Sequence, residues 1–85
     1  MLINQIKLAQ SRKGLRDLLS NFNLAERHDA LVSAIDSLNS EVEFSLTTDV
    51  DSAIFKMSQV VMLEDEKHIV ERLILKQSVK QGMLV

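Results

Sequence analysis

Residues 24–42 read LAERHDALVSAIDSLNSEV, and Leu24, His28, Leu31, Ile35, Leu38 and Val42 within them step by four, three, four, three and four. That spacing keeps the six side chains on one face of an α-helix and is the heptad habit of a helix packed along a partner helix. Asn23 precedes the stretch and Glu26 stands three residues later, the pattern of a capping box, so the helix is predicted to begin at Leu24. Val32 and Ala34 lie beside the seam.

The flanking sequence extends the helical reading. Toward the N-terminus, Leu2, Ile6, Ala9, Leu15, Leu18, Leu19 and Phe22 recur mostly at three- and four-residue steps, predicting one amphipathic helix over about 2–20 with Gly14 as a point of kinking or close approach. Ser20 to Asn23 has the residues of a turn, so the two segments are expected to form an N-terminal helical hairpin. Residues 41–47 are ambiguous: Glu-Val-Glu-Phe-Ser-Leu-Thr alternates polar and apolar as a strand would, while Val42 and Leu46 extend the helical stripe. No second segment offers a strand partner, which favours a helix fraying into a loop here over a short strand at 41–47.

Thr47, Thr48 and Asp49 with Asp51 behind them supply caps and first-turn acid for a new helix, and Val50, Ile54, Met57 and Val61 resume the heptad spacing. From about 49 to 81 the chain is either one helix or two, the second capped by Glu64-Asp65-Glu66. Ile69, Val70, Leu73 and Ile74 make a wide apolar arc, Gly82 stands where a C-terminal cap would, and Met83-Leu84-Val85 is an apolar tail.

Composition agrees with this architecture. The 85 residues include no Pro or Cys and only two Gly, which excludes disulfide scaffolds, Cys-ligated zinc modules and turn-rich β folds. The expectation is an all-α single domain over 1–85, a three- or four-helix bundle. Thirty-four of the residues are Leu, Ile, Val, Met or Phe, more apolar surface than so small a bundle can cover. Self-association as a homodimer is therefore expected, with Leu31, Ile35, Leu38 and Val42 as core or dimer seam and Ile69, Leu73 and Ile74 as interface.

Charge is weakly acidic overall, a formal −2, but unevenly placed. Lys7, Arg12, Lys13 and Arg16 face only Asp17 before residue 23, residues 41–66 hold seven acids against Lys56, and residues after 66 are again basic. Such an order favours a chain that folds back on itself or pairs head-to-tail. The basic patch of Arg12, Lys13 and Arg16 and a helix-turn-helix spacing about Asn21 raise a DNA-binding alternative, opposed by Glu26, Asp29 and Asp36 on the second helix. The acidic middle raises another, imitation of nucleic-acid charge against a basic groove.

Catalytic and cofactor signals are not found: there is no phosphate loop and no nucleophile elbow. Glu64, His68 and Glu71, with Asp65, share a helical face as metal ligands could, but carboxylate-bridged centres draw such sets from several helices, so no metal is expected. His28 reads as an interface histidine. The expected function is a non-enzymatic adaptor, inhibitor or accessory factor that binds another protein through helix faces, in the cytoplasm and without a membrane segment.

Overall fold

The computed structural model describes residues 2–82 and consists of four helices: α1 (Leu2–Lys7), α2 (Arg12–Leu19), α3 (Leu24–Thr48) and α4 (Val50–Gly82). No strand occurs among the described residues, and the all-α class is shown. The tail at 83–85 lies outside them.

The first segment is two helices rather than one, and the break is at Leu8–Ser11 rather than Gly14. Ser11 adopts an extended conformation and its Oγ accepts from the Gly14 N–H at 3.0 Å, a cap that restarts the helix. Gly14 lies within the first turn of α2, where a Cβ would stand 3.2 Å from that Oγ, so the missing side chain makes room for the cap instead of bending the helix. Helix α1 ends with a tightened turn, Ala9 N–H to Ile6 O, and Gln59 of α4 supplies what the break leaves open. Its buried amide donates to both Lys7 O and Ala9 O at 2.8 Å.

The capping box at the start of α3 forms as expected: the Glu26 N–H donates to Asn23 Oδ1 at 2.8 Å and the Asn23 N–H to Glu26 Oε1 at 3.2 Å. Arg27 then clamps the preceding turn, donating to Phe22 O at 2.8 Å and Ser20 O at 3.3 Å. Residues 41–47 neither fray nor form a strand; they are α-helix throughout. Helical period wins because Leu38 and Ser45 face inward, whereas Phe44 and Leu46, two of the three apolar members of the alternation, are exposed.

A single residue joins the two long helices. Asp49, at φ −155° and ψ 96°, donates its N–H to Ser45 O at 2.7 Å, closing α3, and accepts at Oδ1 from the Ser52 N–H at 3.2 Å, opening α4. Beyond this joint α3 and α4 run antiparallel: Ser45 bonds Lys56 near the joint and His28 bonds Glu71 far from it. The dominant helical hairpin is therefore α3–α4, and α1 and α2 lie along it. No cap or breaker interrupts α4, so Glu64-Asp65-Glu66 is mid-helix and not the start of another.

Ile6, Leu15, Leu19, Leu31, Ala34, Ile35, Leu38, Leu63 and Val70 bring all four helices into one buried cluster. The inward face of α4 is Ala53, Gln59, Leu63, Glu66 and Val70. The heptad series Val50, Ile54, Met57 and Val61 does not pack within the chain and is exposed along its whole length.

Candidate interaction surfaces

Three clusters of charged and imidazole side chains tie the helices together, two of them joining segments of opposite charge. Lys7 of α1 pairs with Glu41 of α3 and donates to Ser37 Oγ at 2.9 Å, while Lys56 of α4 approaches the other Glu41 oxygen at 3.4 Å. The Lys7 hydrogen bond holds the Glu41 carboxyl below the ordinary glutamate range against the opposing effect of burial, and the charge of Lys7, Ser37 and Lys56 add to it. Arg12 meets Asp65 at 2.6 Å, and Arg16 Nε donates to both oxygens of Glu66 at 3.1 and 3.2 Å. Glu66 is 5% exposed, and that guanidinium is its ion-pair partner. The expected basic patch is thus partly paired within the chain: Arg12 and Arg16, each more than half exposed, are engaged by acids of α4, and Lys13 is exposed beside them.

The third cluster joins α3 to α4. Glu71 lies between two imidazoles, with His28 Nε2 at 2.9 Å from one oxygen and His68 Nδ1 at 3.3 Å from the other. The hydrogen bond from His28 is the main reason its carboxyl sits below the ordinary range, with Lys67 and His68 contributing. Among the described residues no group of three His, Cys, Asp or Glu side chains is placed to hold a metal ion; of the series Glu64, His68 and Glu71, the last two contact each other and Glu71 also reaches His28.

The residues singled out from the heptad reading separate into two groups. Leu31, Ile35 and Leu38 are buried within the chain's own core, and Val42 is half-buried. Ile69 is half-buried, Ile74 packs against the core from outside, and Leu73 is 40% exposed. Ile69 and Leu73 line a shallow groove of about 310 Å³ with Arg72 and Lys76.

A second groove, of about 220 Å³, runs between α1, α3 and α4. Leu8, Leu38 and Phe55 form its apolar floor and the Lys7–Glu41–Lys56 cluster its polar wall. Every charged group of that wall is already paired, so the groove offers shape and apolar surface rather than a free acid or base. Phe44 and Phe55 stand near the joint of the hairpin, 70% and 53% exposed. Neither was singled out by spacing; the signal available was that each falls outside the inward stripe of its helix.

A comparison of the chain with protein-family models, with curated proteins and with solved structures finds no match.

Proposed function

We propose that this chain is a non-enzymatic protein-interaction module that works by burying its exposed helix faces against another protein, as an adaptor, inhibitor or accessory factor. One observation carries this reading. Among the described residues eleven large apolar side chains, Leu8, Phe44, Leu46, Val50, Ile54, Phe55, Met57, Val61, Leu73, Leu75 and Val79, are 40% to 70% exposed, as many as the apolar residues in the core. Scattered apolar residues are ordinary on a protein surface, but a series at helical spacing is not. Burying such side chains is worth on the order of 25 cal/mol per Å² removed from water, enough to drive association once several act together.

The test is affinity capture from the native cell with the tagged chain and with a Phe44→Ser, Phe55→Ser variant, whose helical content is first matched by circular dichroism. Loss of a captured protein in the variant is expected. An identical captured set for both chains removes the support for the aromatic tip as the binding surface, and a set no different from an unrelated helical control overturns the reading.

A further inference from the structure

The outward face of α4 is a continuous stripe. Val50, Ile54, Met57 and Val61 lead into Glu64, His68 and Arg72, and Leu75 and Val79 follow, in steps of four and three that average close to the 3.6-residue turn, so the series stays on one side of a straight helix. The six apolar members are each about half exposed or more. We propose that this stripe is covered by the same stripe of a second copy, α4 against α4 and antiparallel; the inference rests on the reading that exposed helix faces of this chain bind protein.

Two features select a second copy and its direction. The stripe is self-complementary when reversed: with a twofold axis between residues 64 and 65, Val50 comes level with Val79, Ile54 with Leu75, Met57 with the aliphatic stem of Arg72, and Val61 with His68. A closed twofold pair requires such an isologous match of one patch with itself. Charge makes the same choice. The joint end of the hairpin carries Glu43, Asp49 and Asp51, and the last turns of α4 carry Arg72, Lys76 and Lys80 with no acid among residues 72–80. Antiparallel pairing sets Asp51 beside Lys76 and Lys80 of the second copy, whereas parallel pairing stacks acid on acid and base on base. Glu64 and His68 at the centre place a polar layer next to the axis, where the two Glu64 side chains come within one residue of each other and each His68 lies one turn from the Glu64 opposite. Polar residues within an apolar seam act in this way to fix register and direction.

The absence of native cysteine permits a direct test on the full chain. Sedimentation equilibrium is expected to give twice the 9.6 kDa chain mass at micromolar concentration. When Ile54→Cys and Leu75→Cys chains are mixed and oxidised, the mixed disulfide is expected to form ahead of either homodisulfide; both positions are exposed, so the variants keep the core. Lys76→Glu with Lys80→Glu should weaken the dimer about tenfold or more, and adding Asp51→Lys should restore it. Homodisulfides forming first, or a dimer indifferent to the charge reversal, overturn the antiparallel register. A chain that remains monomeric yet captures another protein through Phe44 and Phe55 overturns the dimer and leaves the interaction reading standing.

Discussion

Gln59 and Glu66 are the polar residues on which the packing of α4 against the N-terminal helices turns. Gln59 is buried and supplies donors to two carbonyls of the α1–α2 break. Gln59→Leu keeps the volume but leaves both oxygens without their donor, so unfolding in urea should show a loss of about 1–3 kcal/mol. An unchanged midpoint would mean that water takes over the amide's role. Arg16→Ala strands the buried Glu66 carboxylate, but more than half of the Arg16 side chain is exposed and solvent screens the pair, so the loss should be nearer 1 kcal/mol than the several expected of a fully buried pair. Glu66→Gln in the same chain should return most of it, and a double-mutant cycle with no coupling would show that the two groups do not interact in solution. Glu41 sets an acid dependence. Its folded pKa is depressed, so the unfolded chain holds more protons across that range; the stabilisation is complete above the ordinary glutamate value of about 4.3 and is lost as pH falls through the lowered one. Glu41→Gln should flatten that limb of the stability profile, and identical acid limbs in the two chains would discount the cluster.

At the scale of the elements, Asp49 is the joint on which the α3–α4 hairpin turns. Asp49→Ala removes the carboxylate that accepts from the Ser52 N–H and should cost about 1 kcal/mol, while Asp49→Asn should cost little, because an amide oxygen caps as well. Equal stability of all three chains would argue that the backbone bond to Ser45 O is sufficient. Helix α3 was legible in the sequence as far as Leu38 for a physical reason: a local capping box starts it and its inward residues Leu31, Ala34, Ile35 and Leu38 are aliphatic, so pattern and burial coincide. On α4 they diverge. Its inward face contains Ala53, Gln59 and Glu66, small or polar side chains whose partners, the α1–α2 break and Arg16, are some fifty residues away. The aliphatic heptad points outward, and a pattern based on hydrophobicity alone assigns the wrong face to the core. The break at Leu8–Ser11 is hidden for the same reason, since it has no Gly or Pro and is completed by a distant amide. At 41–47 the expected fraying does not occur because the helix stays anchored: Ser45, which the alternation treats as polar surface, is buried, and its hydroxyl accepts from Lys56 at 3.2 Å.

The whole molecule is a rod of 54 × 21 × 18 Å, built on a long antiparallel pair with two short helices along it. Charge order along the chain was the sequence feature most informative about this shape, because Lys7, Arg12 and Arg16 find Glu41, Asp65 and Glu66 within the same chain. That internal neutralisation also bears on nucleic acid. Affinity for duplex DNA should be weak and should not change in an Arg12→Ala, Arg16→Ala chain; a marked, salt-sensitive loss of binding in that variant would revive the DNA-binding alternative. The groove at Leu8 and Phe55 was not visible from spacing, and the outward stripe of α4 was visible as a series but not as an exposed one, because exposure depends on which faces the short helices cover. The one-residue joint at Asp49 has a kinetic consequence. Closing a loop of one residue costs little chain entropy, and successive α3–α4 contacts then add outward from it like a zipper, a low-contact-order route to rapid folding. The α1–α2 segment draws its partners from both long helices, Ser37 and Glu41 on α3 and Gln59, Asp65 and Glu66 on α4. It should therefore be the last region to form and the first to open, its amides exchanging with deuterium well before those of α3 beside the core.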